Sequence, residues 1–128
     1  MHTGETSHTG AEGVVRVIEE LKPARIGHGI AAAQSEEAMK KLVEHDIVLE
    51  LCPSSNLRTH AVADLEDIRT IFTRLRQNNV RTTVNTDGTY MLGTTLRAEF
   101  DLLLDANILN PSDAQRCIET ARQATFLR

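Results

Sequence analysis

The chain has 128 residues, a formal charge of −4, 41% hydrophobic and 25% charged residues, and 3% aromatics with no Trp. That is a globular composition with length for one core, and without a basic stripe or stacking aromatics it excludes a nucleic-acid partner. No apolar run approaches the roughly 18 residues that cross a bilayer, and the polar opening Met1-His2-Thr3-Gly4 lacks the apolar centre of a secretion signal, so a cytoplasmic protein with no membrane partner is expected.

Val14, Val17, Ile18 and Leu21 fall at i, i+3, i+4 and i+7 and predict an amphipathic helix ending near Pro23. Ala24 to Gly29 reads as a short extended run broken by glycines. Ser35 is the expected N-cap of a second helix, with Glu36 and Glu37 in its first turn and Met39, Leu42 and Val43 along it. Ile47 to Cys52 is the clearest strand, nearly continuous in apolar residues as a parallel strand covered on both faces would be, and Pro53 stops it. Ser54-Ser55-Asn56 then reads as a loop.

Asp64 is placed to cap a third helix carrying Leu65, Ile68, Ile71, Phe72 and Leu75, which Asn78-Asn79 ends before a strand from Val80 to Val84. Leu96, Phe100, Leu103 and Leu104 mark a further helix, and Pro111 followed by Ser112 and Gln115 at capping-box spacing opens the last. Alternating strands and amphipathic helices with no linker argue for a single α/β unit over residues 1–128 with a parallel sheet. Cys52 and Cys117, 65 positions apart and outside any CxxC pattern, read as reduced structural thiols.

Four polar strings stand in order: His2-Thr3-Gly4-Glu5, Gly27-His28-Gly29, Cys52-Pro53-Ser54-Ser55-Asn56 and Asn85-Thr86-Asp87, the last three each closing a β-type run. A βα-barrel displays its active site in this way, from the C-terminal ends of several strands, but a whole barrel takes about 250 residues, so a half-barrel is expected. Each residue also has an ordinary reading. His2 could be a surface side chain, Glu5 a first-turn carboxylate, His28 a satisfied core histidine and Asp87 a helix cap. Ser54 and Ser55 lack the strained Gly-x-Ser-x-Gly elbow of a serine nucleophile, and Cys52-Pro53 lacks the second cysteine of a cytidine-deaminase zinc site. His45 and His60 read as surface residues.

Taken together, the four strings resemble the C-terminal half of the adenosine deaminase family, among the metal-dependent amidohydrolase barrels, over essentially the whole chain. The resemblance implies a partial TIM-type (β/α) barrel with a zinc ion at its mouth. It makes His2 a zinc ligand and Glu5 the acid that protonates the purine ring nitrogen. By the same resemblance His28 orients the metal-bound hydroxide, and Asp87 completes the metal site and takes a proton from the bound water. Gly4 and Gly88 fall at substrate-binding positions. His8-Thr9-Gly10 repeats the first string, but only His2 has a Glu at i+3.

Two departures qualify that picture. No His-x-His pair, which supplies two of the family's zinc ligands, occurs in this sequence, and His2 with Asp87 falls short of the three protein ligands a catalytic zinc takes. Gly88 stands where the family usually has a second aspartate that hydrogen-bonds the purine, and Thr89 replaces its usual proline. The chain also opens on the first motif without the apolar strand expected before it, as a fragment would.

The expectation is therefore part of a zinc-dependent aminohydrolase acting on a purine nucleoside or other aminopurine, inactive until a missing N-terminal half is supplied. The alternative is a non-catalytic fragment or pseudoenzyme that self-associates through its exposed sheet edges. A third reading keeps the barrel and metal but takes a cyclic amide or ester as substrate.

Overall fold

Residues 1–6 and 9–127 are described by the computed structural model. Four short strands, β1 (His2–Thr3), β2 (Arg25–His28), β3 (Val48–Leu51) and β4 (Thr82–Val84), lie parallel and side by side in chain order. Three crossovers make this possible: α1 (Ala11–Leu21) between β1 and β2, α2 (Glu36–Glu44) between β2 and β3, and α4 (Leu65–Gln77) between β3 and β4. Parallel neighbours joined by helices in strict sequence order form an arc of a (β/α) barrel, and every strand then ends on the same rim. This is the partial barrel that the strand and helix alternation predicts.

Register decides which face each strand residue serves. Ile26 pairs with Leu49, and Leu51 with Val84, so these side chains share the helix-covered face. There they join Val14 and Ile18 of α1, Met39 and Leu42 of α2, and Ile68, Phe72 and Leu75 of α4 in one buried cluster. Burying a leucine such as Leu49 or Leu75 completely stabilises the fold by about 2 kcal/mol. The opposite face carries the row His2, Gly27, Glu50 and Thr83, register partners across all four strands. This concave row is polar.

The helix starts follow their caps. The Ser35 hydroxyl accepts the Ala38 N–H and the Asp64 carboxylate accepts those of Glu66 and Asp67, as expected from the sequence. After β4 come α5 (Thr89–Leu92), α6 (Leu96–Asp105) and α7 (Pro111–Ala124), with Cys117 of α7 lying against Thr82 of β4. Cys52 and Cys117 are both buried free thiols. No described helix is long and apolar enough to cross a membrane.

Three expectations need correction. Ser54-Ser55-Asn56 is not a loop but the middle of a short helix, α3 (Pro53–Arg58), because Pro53, which stops the strand, has the fixed φ suited to a first helical position. The last helix is capped by Asn110, whose side chain accepts the Asp113 N–H while Asp113 accepts that of Asn110. Pro111 takes the first helical position, so the capping box precedes the Ser112 and Gln115 pair. Leu21, Val43 and Leu96, expected on apolar faces, lie exposed, the first two in the last turns of α1 and α2 and Leu96 at the start of α6.

Candidate active site

The polar strings meet on the rim where the strands end. His2 belongs to β1, Gly4 and Glu5 follow it, His28 closes β2, α3 follows β3, and Asp87 lies three residues beyond β4. His28 and Asp87 both take φ of 62°. Among the described residues five other non-glycine residues share this left-handed region, namely Lys22, Asp46, His60, Asn79 and Asn107, and each lies just past a helix end. There a left-handed residue is an ordinary terminator. His28 instead bends the end of β2 and Asp87 the segment that follows β4, where residues bearing a Cβ are held against a conformational cost, as happens at functional sites.

His28 is the hub of the rim. Its ring is buried, and with Asn56 presenting its carbonyl oxygen, Nδ1 donates to Asn56 Oδ1 at 2.9 Å. Nε2 is thereby directed into the site, 3.6 Å from Glu5 Oε2 and 3.8 Å from Asp87 Oδ2. The Ser55 hydroxyl donates to that same Asp87 oxygen at 2.8 Å. The His2 ring lies 5.4 Å from the His28 ring, centroid to centroid. Imidazoles 2 and 28 and carboxylates 5 and 87 therefore converge on one rim. His45 and His60 are exposed, as expected, and His8 lies outside the described residues.

The glycines of the strings have distinct physical reasons. His2 and Gly27 are register partners, and a Cβ on Gly27 would run into the His2 imidazole. The space beside Gly27 is thus taken by His2. Gly29, at φ of 66°, continues the turn begun at His28, and a Cβ there would approach a Leu49 methyl to 2.7 Å. Gly4, at φ of 70°, would collide with Val14 at 2.6 Å, so close packing of the β1 end requires it. Gly4 and Glu5 also border a cleft of about 740 Å³ that reaches Ile30 and the α4 residue Ile71. Gly88 has an ordinary φ of −116° and open surroundings, its nearest neighbour for an added Cβ being Met91 at 3.8 Å.

Electrostatically the rim is acidic. Burial first, and then the carboxylates of Asp87, Glu99, Glu50 and Glu5, push the Cys52 thiol up to about 12, so it stays protonated and is no nucleophile. An acidic rim with a histidine suits a divalent cation, yet the donor set is incomplete. Among the described residues no three His, Cys, Asp or Glu side chains are placed to share a metal ion. A catalytic zinc needs three protein ligands, and His2 with Asp87 would give two. The residues of this chain alone do not fit a whole metal centre.

Comparison with known proteins places this geometry. The family model described as adenosine deaminase matches residues 1–128. The chain belongs to the adenosine deaminase family. Among curated members of that family's kind, it is 37% identical to the adenosine deaminase of Haemophilus ducreyi, over 99% of this chain and 36% of that protein. It is 33% identical to the adenine deaminase of Sinorhizobium fredii, over 99% of this chain and 38% of that protein. Among solved structures, the adenine deaminase of Arthrobacter aurescens superposes with a TM-score of 0.88 at 23% identity, covering 99% of this chain and 38% of that one, a likeness of fold. The chain thus spans little more than a third of the length of the relatives it matches. The adenosine deaminase family is metal-dependent.

Ser55 and Asn56 stand in the third polar string, but nothing local marks them as buried partners of Asp87 and His28. Glu99 lies outside all four strings. Glu99 is wholly buried. It did leave a signal, since it falls between Leu96 and Leu103 on the spacing that defines the apolar stripe of α6.

Proposed function

We propose that this chain forms one side of a zinc-dependent aminopurine deaminase site in the cytoplasm, completed by strands outside this sequence that carry the His-x-His ligands. The observation that carries the reading is the convergence of His2, Glu5, His28 and Asp87 around His28 Nε2. Zinc would take His2 and Asp87 as part of its ligand set and would supply Lewis acidity.

This chain's residues divide the proton work of a hydrolytic deamination. Glu5 gives a proton to the purine ring nitrogen as water adds to the amine-bearing carbon. Asp87 takes a proton from that water, and His28 Nε2 stabilises the charge that develops at the attacked carbon. Asp87 then passes its proton to the departing amine and the added hydroxyl returns one to Glu5, so ammonia leaves, an oxo-purine remains and both carboxyl groups are restored. The gaps from His28 Nε2 of 3.6 Å to Glu5 and 3.8 Å to Asp87 exceed a direct hydrogen bond, a spacing at which groups can share one small oxygen ligand between them. Gly4 and Gly88 border the substrate, with Gly88 offering no acceptor to the purine.

The test is to supply this chain with an N-terminal half bearing a His-x-His strand and measure zinc content and ammonia release from adenine, adenosine and AMP. Turnover on at least one is expected, and Glu5→Gln should lower kcat by about 10²- to 10⁴-fold with zinc still bound. No bound zinc, or turnover indifferent to Glu5→Gln, would refute the proposal.

A second reading, self-association without catalysis, is favoured by one observation. Among the described residues no strand pairs with the outer edges of β1 and β4, and Tyr90 and Met91 beyond β4 are almost fully exposed. Unpaired edges with apolar neighbours invite pairing with another copy.

A further inference from the structure

Glu99 is a carboxylate with 0% exposure, held by two neutral donors, the Ser54 N–H to Oε2 at 3.0 Å and the Thr94 hydroxyl to Oε1 at 2.7 Å. Buried Leu103 and partly buried Phe100 flank it on α6, so an apolar side chain would fill the position without the desolvation cost of a buried charge. What it gains is at the far end of its hydrogen bond. Cys52, the N-cap of α3, makes no side-chain capping bond, and the second helical N–H, that of Ser54, is satisfied by Glu99 from 45 residues away.

Three consecutive residues of α3 then face three partners: Ser54 is held by Glu99, Ser55 holds Asp87, and Asn56 holds His28. Rotating or fraying this turn would move both site groups together, because Ser55 and Asn56 are fixed to the same backbone as Ser54. We propose that Glu99 is a positioning residue, which clamps the first turn of α3 and through Ser55 and Asn56 sets the direction of Asp87 and the tautomer of His28. The functional meaning of the clamp rests on the deaminase reading, but the clamp itself is visible on His28.

The experiment is two-bond ¹⁵N–¹H imidazole spectroscopy of the 128-residue chain, which reports which nitrogen of His28 carries the proton and how fast that proton exchanges. The unaltered chain should show a protonated Nδ1 on His28. Glu99→Ala should replace that pattern with a mixture of tautomers and speed Nδ1–H exchange by about tenfold or more. Glu99→Gln should keep the original pattern, since its amide oxygen can accept from Ser54 and its NH₂ can donate to the Thr94 hydroxyl. Leu103→Ala, a cavity in the same helix, controls for general loosening and should leave His28 unchanged.

Should Glu99→Ala fail to fold, Glu99→Asp, one methylene too short to reach Ser54, takes its place with the same expected change. An unaltered His28 signal in these variants, an equal loss in Leu103→Ala, or a loss in Glu99→Gln would each overturn the clamp. A chain inactive on every aminopurine would instead count against the deaminase reading and leave the His28 result standing.

Discussion

The imidazole of residue 2 is oriented by an absence: Gly27, directly across the β1–β2 pair, has no side chain to push it away. Gly27→Ala keeps an ordinary strand conformation and obstructs only the tip of a flexible side chain. The expected result is a melting temperature within a few degrees of the parent with the His2 and His28 rings no longer in contact, read as loss of their ring-proton NOEs. Persisting NOEs would show that Gly27 does not set His2. Gly88 offers the opposite opportunity, since a side chain there meets open space. In the completed protein, Gly88→Asp should fold normally and raise kcat/KM for adenosine by about tenfold or more, the usual worth of one well-placed hydrogen bond to substrate. An unchanged adenosine rate would remove residue 88 from substrate recognition. His28 and Asp87 were readable because each follows a β-type run, whereas His2 and Glu5 were readable only through the resemblance of their string to the family's first motif. The reason for Gly27 was not, because it depends on a register that only the paired strands define.

Among the elements, the sequence concealed α3, along with the two-residue β1 and the four-residue α5. Six residues opened by a proline carry no periodicity to detect, and burial of Ser55 and Asn56 arises from partners on β2 and after β4. The longer helices and the strands β2, β3 and β4 were legible from spacing and caps, which are local. The junction of β3 and α3 has a measurable signature in Cys52. Its folded thiol is pushed up to about 12 from an ordinary 9.0, so at pH values between these the unfolded chain releases a proton that the folded chain keeps. The stabilisation from this group is complete below about pH 9 and is lost as pH rises toward 12. Denaturation midpoints should therefore fall across that window, with a shallower fall in Cys52→Ala. Cys117, also raised by burial, accounts for part of the remainder. An identical slope in Cys52→Ala would show that the Cys52 environment is not as described.

For the whole molecule, the strand order equals the chain order and all site groups lie on one rim, so the arc presents half of a mouth together with two open edges. Sedimentation of the 128-residue chain from low to high micromolar concentration should show mass rising with concentration, and Met91→Lys should reduce that rise. A monomer throughout would eliminate the self-association reading. The half-barrel itself was legible because alternation and length together allow few architectures. The left-handed backbone at positions 28 and 87 has a consequence for descent. Glycine would relax both strand ends while erasing the imidazole and the carboxylate, so disuse of the chemistry would meet little resistance from folding there. Related chains with glycine at both places would be expected to remain well folded, and their retired sites could be recognised from those two letters alone.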